Sequence, residues 1–175
     1  GGFQNTISSV GATDAFLVKF DADGNRLWAT YYGASKNDIG FGLATDLEGN
    51  VYLAGETSRD SGIASGGFLN TYNGGGGNNS YIVKFDTDGN RLWASYYGRT
   101  GADIRLSLAT DISGNVYMAG YAGSTSGVAS GGFQNVFGGG WDAFLVKFSA
   151  EGNRLWATYY GGERNEWGIS IATDD

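Results

Sequence analysis

The chain contains no histidine, no cysteine and no proline. Without histidine it cannot form a Ser-His-Asp triad or an imidazole metal site. Without cysteine it has no thiol nucleophile, no thiolate zinc site and no disulfide, so cysteine usage gives no clue to its compartment. Enzyme chemistry in this chain would have to rely on Asp, Glu, Lys, Tyr, Ser or Thr.

Basic residues and long apolar runs are also scarce. The net charge is −7, with a pI near 4.4, which argues against nucleic acid as a partner. No apolar run approaches the roughly 20 residues that a membrane span needs. The opening phrase GGFQN recurs at residues 131–135, so we expect the chain to be a piece of a longer protein, with any targeting segment elsewhere.

What the chain does contain is a phrase that occurs nearly three times. Residues 14–33 (DAFLVKFDADGNRLWATYYG) and 142–161 (DAFLVKFSAEGNRLWATYYG) match at 18 of 20 positions, and residues 79–98 are a third version. The conserved tryptophans are 65 and then 63 residues apart. A long fixed period indicates a repeat architecture. We therefore divide the chain into repeats 1–65, 66–130 and a truncated 131–175.

Short strand-like runs fill the repeats. They are rich in β-branched and aromatic residues and are bounded by Gly, Asn and Asp. We predict eleven strands, at 15–21, 26–33, 41–46, 50–56, 81–86, 91–98, 106–111, 115–121, 143–149, 154–161 and 169–174. D-x-x-G-N turns between them supply the glycines that tight hairpins need. No segment shows the apolar stripe of an amphipathic helix.

The predicted strands are apolar on both faces. Phe16, Val18 and Phe20 share one face of their strand, and Leu17 lies on the other. A sheet apolar on both sides has to be stacked between neighbours. Four-stranded antiparallel sheets that are stacked and repeated predict an all-β fold, a β-propeller. Eleven strands make about 2.75 blades, so we expect a partial propeller: a segment of a larger ring, or one of several chains that complete a ring together.

Long connectors, 57–79 and 122–141, join the second and third strands of a blade. Such connectors lie on one face of a propeller, often the binding face. Their aromatic residues are expected to tuck under or between the sheets as anchors: Phe68, Tyr72, Phe133 and Phe137.

The repeated phrases resemble the SBBP family, the β-propeller repeats of large secreted bacterial proteins, in versions similar to those of Bacteroidetes-type surface proteins. The resemblance covers the whole chain through the phrases 14–20, 24–28, 31–33 and 49–55. The hairpin phrase is also similar to NHL-repeat propellers, which implies complete blades at 41–97 and 106–160 with the GLATD-like strand lining the central channel. The resemblance implies an extracellular or cell-surface setting and no particular activity.

Two of the turns have the alternating oxygens of a calcium loop: Asp21, Asp23 and Asn25, and Asp86, Asp88 and Asn90. The third copy keeps its hairpin residues but replaces two of these acids by Ser149 and Glu151. A structural turn is therefore favoured over calcium, and no other cofactor is expected.

Two tryptophans interrupt the repeat. Trp141 stands where other copies have Thr13 and Asn78, and Trp167 stands where they have isoleucine. They are our candidate ligand-binding residues, although local repacking is an alternative. The tryptophans inside the repeated phrase, in contrast, are expected to be packing residues.

These features favour a non-enzymatic structural or binding segment, for scaffolding or adhesion through loops on one face. Its partners would be a protein or glycan at the cell surface, and the rest of its own propeller or further copies of the chain. A carbohydrate-binding propeller is the alternative. A carboxylate-based glycoside hydrolase is a remote one, because nothing in the sequence pairs the less regular acids Glu56, Asp60, Glu163 and Glu166.

Overall fold

A computed structural model describes residues 1–58, 62–72, 77–98, 103–168 and 170–174, with the side chains of 103 and 104 left out. The regular secondary structure of this part of the chain consists of β-strands, which confirms the all-β prediction. No helix in it is long and apolar enough to cross a membrane. The strands are β1 (Ala15–Phe20), β2 (Arg26–Tyr32), β3 (Asp38–Thr45), β4 (Val51–Ser58), β5 (Asn78–Phe85), β6 (Arg91–Tyr97), β7 (Asp103–Thr110), β8 (Val116–Ala122), β9 (Asp142–Phe148) and β10 (Arg154–Tyr160).

The D-x-x-G-N turns close the hairpins as the sequence predicts. In the turn between β5 and β6, the Asp86 N–H donates to Asn90 O (2.9 Å) and the Gly89 N–H donates to Asp86 O (3.2 Å). Gly89 has a φ of +84°, a left-handed conformation that favours glycine. The pairing of β5 with β6 shifts register between Lys84 and Phe85, so the turn leads into a bulge.

The strands form two antiparallel four-stranded sheets, in the orders β3-β4-β5-β6 and β7-β8-β9-β10, and one two-stranded sheet, β1-β2. Residues 38–97 and 103–160 are thus the two complete blades that the resemblance implied. β3 and β7, the first strands of the two blades, lie next to each other. The Thr110 hydroxyl, at the end of β7, donates to Thr45 O (2.8 Å), and the Thr173 hydroxyl donates to Thr110 O (2.8 Å). These described sheets do not close a ring.

The predicted strand 169–174 is not observed over residues 170–174, and residue 169 lies outside the described residues. Residues 170–174 have no strand pairing in the described structure, because no adjacent strand hydrogen-bonds to their backbone. The described residues therefore contain ten strands, two blades and a half-blade, rather than eleven.

The core lies between the sheets, as two-faced apolar strands require. Tyr32 of the half-blade packs against Tyr81 (5.3 Å between ring centroids) and Phe85 (5.7 Å) of the first blade. The seam between the two blades repeats this contact, with Tyr97 against Phe144 (5.4 Å) and Phe148 (5.8 Å). We number these contacts the first seam and the second seam. The third seam is the contact of the second blade with residues 161–168.

Two sheet faces remain uncovered. Phe16 is 73% exposed on the free face of β1, whereas Tyr81 and Phe144, at the equivalent positions, are buried. At the other end Tyr160 is 70% exposed, whereas its equivalents Tyr32 and Tyr97 are buried in seams. The residues exposed on these two faces are of the same types as those that meet inside a seam.

The described parts of the connectors do not project from one face, which corrects the prediction for these residues. Ser65 exchanges backbone hydrogen bonds with Ala94 of β6 (2.9 and 2.8 Å), and Ser130 does the same with Ala157 of β10. The described connector residues therefore lie along the outer edge of each blade and cover the backbone of the edge strand. Their length reflects a path along this rim.

The connector aromatics divide into two groups. Tyr72 packs against Tyr96 (5.7 Å), and Phe137 packs against Tyr159 (5.6 Å), which confirms both as anchors. Phe133 is 86% exposed, and Phe68 lies at the surface over the guanidinium of Arg154 (4.4 Å), so these two are not tucked between sheets. The buried anchors are the smaller Ile63 and Val128, whose carbonyls accept hydrogen bonds from tyrosine hydroxyls of β2 and β6.

Candidate functional site

The tryptophans of the repeated phrase join one blade to the next. The indole N–H of Trp28 donates to Thr87 O (2.8 Å), and that of Trp93 donates to Ala150 O (2.9 Å). Each acceptor lies in the last hairpin turn of the following blade. Both rings are buried, as expected for packing residues. Trp156 is half-buried and has no such acceptor in the described part of the chain.

Lysines and aspartates form an ion pair inside each complete blade. Lys84 of β5 lies 3.3 Å from Asp46, and Lys147 of β9 lies 3.0 Å from Asp111. Burial raises the pKa of Asp46, but hydrogen bonds from Asn50 and the charge of Lys84 outweigh it, so this pKa lies below its ordinary value. Both acids have structural roles in these ion pairs and are therefore poor candidates for catalysis.

The proposed calcium turns use their oxygens internally. Asp21 Oδ1 accepts the N–H groups of Asp23 (3.0 Å) and Asn25 (2.8 Å), and Oδ2 accepts the Asn25 side-chain amide (3.1 Å). Asp86 makes the same three contacts with Asp88 and Asn90. The hydrogen bond from the Asn25 side chain lowers the pKa of Asp21. A turn that satisfies its own carboxylate has no need of an ion, which favours the structural interpretation.

Trp141 and Trp167 come together although they are 26 positions apart in the sequence. Both pack on Tyr121, Trp141 edge to face with ring centroids 5.4 Å apart and Trp167 tilted by 31° at 5.9 Å. Tyr121 is buried, Trp141 is half-buried and Trp167 is 61% exposed. We call these three residues the aromatic patch. It lies at the end of the blade where β8 ends and β9 begins, opposite the D-x-x-G-N turns.

Backbone pairing across the third seam fixes the patch. The Glu166 N–H donates to Trp141 O (2.6 Å), and the Trp141 N–H donates to Asn165 Oδ1 (3.1 Å). The Trp141 ring covers Gly123, where a Cβ would lie 3.1 Å from the ring. Equivalent bonds join Thr13 to Asn37 and Asp38 in the first seam. The scaffold is therefore the same in both seams, and only the side chains differ.

Tyr121 was missed by the sequence analysis, although the signal was present. It stands at the end of NVYMAGY, where the other copy, NVYLAGE, has Glu56. Glu56 is buried, accepts a hydrogen bond from the Asn78 amide (3.3 Å), and has a pKa that burial raises. The equivalent point in the first blade is thus polar, so the patch is specific to the third seam.

A pair of carboxylates lies in the same seam. Asp142 Oδ1 and Glu166 Oε2 lie 2.6 and 2.7 Å from the point where a Cβ on Gly161 would be, so they are at most about 5.3 Å apart, the sum of those distances. Among the acids that the sequence does not pair, Glu166 therefore lies close to another carboxylate. Glu163 is exposed, and Asp60 lies outside the described residues. Asp142 is fully buried, so a glycosidic bond cannot reach it. The pair does not fit a glycosidase.

Two cavities in the described part of the chain lie away from the patch and are larger than a third, of about 110 Å³, beside Lys84 and Ala150. One, of about 540 Å³, lies on the uncovered face of the half-blade and is lined by Gln4, Phe16, Arg26 and Tyr31 among others. The other, of about 260 Å³, lies beside the innermost strands between Thr45–Leu47, Thr110–Ile112 and Thr173. The acids of the second cavity are those already paired with lysine. Neither cavity gathers side chains that break the repeat.

Residues 27–61 match the family model of the SBBP β-propeller repeat. This match covers β2, β3 and β4, which are the outer strand of one blade and the first two strands of the next. It confirms the resemblance to SBBP repeats over these residues. The chain carries an SBBP-type β-propeller repeat, and its four-stranded antiparallel sheets are propeller blades.

Two curated proteins are similar to this chain. "Regulatory protein FlaEY" of Caulobacter vibrioides is 31% identical over 143 residues, which cover 82% of this chain and 15% of that protein. "Uncharacterized WD repeat-containing protein L264" of Acanthamoeba polyphaga mimivirus is 26% identical over 125 residues, covering 69% of this chain and 9% of that protein. The chain thus spans only a small part of the length of these relatives.

Proposed function

We propose that this chain is a non-catalytic binding segment of a β-propeller and that its partner docks on the aromatic patch. The observation that carries the proposal is the meeting of three aromatic side chains at positions where other copies have Thr, Asn, Glu or Ile. A side chain that only packs a seam would be expected to recur with the seam. Aromatic residues at the surface provide a large contact area at low entropic cost, which is typical of binding sites.

A role without catalysis is supported by chemistry and by similarity. The chain has no histidine or cysteine, and Asp142 of the carboxylate pair at the third seam is buried out of reach of a substrate. One relative is named a regulatory protein, which accords with binding. Function in a propeller comes from particular sites added to the scaffold rather than from the scaffold itself.

A carbohydrate is the partner class that we place second, after a protein. Trp167 is 61% exposed and follows closely in sequence the exposed polar residues Glu163, Arg164 and Asn165. A flat aromatic surface surrounded by hydrogen-bonding groups is the arrangement on which a sugar ring can stack. The buried Tyr121 supports Trp167 from beneath, so only one ring of the stacked pair is available to a ligand.

The test is binding by the chain and three single variants, with glycan arrays and with surface proteins of the source cell. We expect Trp167→Ala and Trp141→Ala to weaken binding at least about tenfold, the size of a hot-spot loss. Phe133→Ala is the matched control, because it removes an exposed aromatic ring from the rim. Binding that survives both tryptophan changes would reject the patch, and binding to glycans alone would select the carbohydrate alternative.

We also propose that further blades of the same type cover the two uncovered faces, either from the same protein or from further copies of the chain. The residue types on the two faces support this, because Phe16 and Tyr160 match those that meet in the described seams.

The expected setting of the protein is extracellular or at the cell surface. Antibody detection in the culture medium and on intact cells would test it, and confinement of the protein to the cell interior would reject it.

A further inference from the structure

We propose that the third seam binds a hard divalent cation of the Ca²⁺ type between Asp142 and Glu166. This inference is independent of the proposed ligand at the aromatic patch. It begins from an unpartnered atom: Asp142 is fully buried, yet its Oδ1 has no hydrogen-bond partner among the described residues. Burial of a carboxylate oxygen without a donor or counter-charge is costly, so such an oxygen points to a missing ligand.

The first seam shows what the third seam lacks. There Asp14 has a donor for each oxygen: the Ser8 hydroxyl donates to Oδ1 (2.7 Å), and the Ser8 N–H (2.8 Å) and Gln4 Nε2 (3.1 Å) donate to Oδ2. The Ser8 hydroxyl also contacts Ala34 O. This hydroxyl therefore lies between a carboxylate oxygen and a backbone carbonyl.

Two substitutions remove these donors in the third seam. Gly138 stands in place of Ser8: its N–H still donates to Asp142 Oδ2 (2.7 Å), but it has no hydroxyl for Oδ1. Gln134, in place of Gln4, directs its amide to Val136 O and Gly161 O instead. The carbonyl of Gly162 takes the position of Ala34 O, and it lies 2.5 Å from where a Cβ on Gly138 would be.

A second carboxylate completes the site. Glu166 stands in place of Asp38, and its Oε2 accepts the Gly162 N–H (2.9 Å). Neither Asp142 nor Glu166 forms an ion pair with a lysine or arginine in the described part of the chain. The two carboxylate oxygens lie around one point, beside Gly161, and the Gly162 carbonyl belongs to the same seam. Carboxylate and carbonyl oxygens are the ligands that Ca²⁺ takes, at 2.3–2.6 Å.

A cation here would also hold the aromatic patch. Glu166 is bonded through its N–H to Trp141 O and immediately precedes Trp167. Binding would fix the segment that carries the exposed indole.

The experiment is a titration of the chain with Tb³⁺, a luminescent substitute for Ca²⁺ that neighbouring indoles sensitise. We expect saturable emission that Ca²⁺ displaces, together with a rise in the unfolding temperature on adding Ca²⁺. Asp142→Asn and Glu166→Gln should each weaken Tb³⁺ binding at least about tenfold, because ligand charge sets affinity at such sites. The second repeat has Asn79 at the position of Asp142, so the fold accepts this change.

The matched control is Glu163→Gln, an exposed acid of the same segment, which should leave the affinity unchanged. A second control, Asp88→Asn, changes the rival calcium turn. Absence of Ca²⁺-displaceable emission would overturn the proposal. So would affinity that is unchanged in both Asp142→Asn and Glu166→Gln, or that is lost in Asp88→Asn instead. Circular dichroism of each variant separates lost binding from lost folding. If one of Asp142→Asn and Glu166→Gln unfolds, the affinity of the other variant tests the proposal.

Discussion

The indole bond across each seam gives a prediction that compares two copies of one residue. Trp93→Phe removes the N–H that donates to Ala150 O (2.9 Å) and part of a ring that is buried in the second seam. Trp156→Phe makes the same chemical change at the equivalent position of the last strand, where the ring is half-buried and has no described acceptor. Comparing the two variants separates the stability lost at the seam from the stability lost through the Trp→Phe change itself.

The expected magnitude follows from these contacts. A lost hydrogen bond reduces the free energy of unfolding by about 0.5–1.5 kcal/mol, and the smaller ring leaves a cavity against Phe148 and Tyr52. Ala150 O keeps Lys84 Nζ as a donor at 3.3 Å, which limits the cost. We expect Trp93→Phe to cost about 2 kcal/mol and Trp156→Phe less than about 0.5 kcal/mol.

The assay is urea unfolding followed by circular dichroism, with the free energy extrapolated to water. Trp28→Phe should behave like Trp93→Phe, because its indole donates to Thr87 O in the first seam. Equal losses at Trp93 and Trp156 would refute the reasoning, since the seam would then contribute nothing.

Three further predictions concern turns, charge and the rim. Gly152→Ala should cost at least about 1 kcal/mol more than Gly114→Ala in urea unfolding, because both glycines have positive φ but only at 152 would the Cβ meet Trp93, at 2.7 Å. Stability should fall in acid. The pKa values of Asp46 and Asp111 lie below the ordinary 3.8, because hydrogen bonds and the neighbouring lysines outweigh the effect of burial. The contribution of these two aspartates to the free energy of unfolding is therefore present above pH 3.8 and is lost as the pH drops through their lower folded values. Unfolding midpoints measured down a pH series should show this loss, and Asp111→Asn should flatten it; an unchanged slope would contradict the ion pair. Phe68→Ala should destabilise by up to about 1 kcal/mol through its contact with Arg154, whereas Phe133→Ala should have no measurable effect on the thermal midpoint.

The sequence predicted the scaffold because the scaffold is periodic. Period-2 patterning placed Phe16, Val18 and Phe20 on one face, and recurrence showed that neighbouring sheets had to cover such faces. The turn glycines marked the hairpin ends to within a few residues. These features depend on local geometry that each copy repeats, so a single chain contains several examples of each.

The connectors were less predictable. Their length suggested loops on one face, but the structure places the described parts along the outer edges, where Ser65 and Ser130 pair with β6 and β10. Backbone pairing of this kind carries no side-chain signature. Because the path of the connector along the rim could not be read from its side chains, neither could the burial of Ile63 and Val128 in place of the larger Phe68 and Phe133.

The site was half predictable. Breaks in the repeat identified Trp141 and Trp167, but no sequence pattern places them together, because they meet across a seam through Tyr121. The acid pair shows the same limit: Asp142 is in the most regular phrase of the chain, and its exceptional environment comes from Gly138 and Gln134. A residue can keep its identity in every copy while its partners change.

The most direct test of the stacked-blade account is the ¹⁹F spectrum of the chain labelled with 5-fluorotryptophan, with a soluble paramagnetic reagent added. The five tryptophans give one signal each, assigned by single Trp→Phe variants. The account predicts that the reagent broadens Trp167 most and leaves Trp28 and Trp93 sharp, since both are buried between sheets. Broadening of Trp28 and Trp93 to the extent seen for Trp167 would show that the sheets do not cover one another.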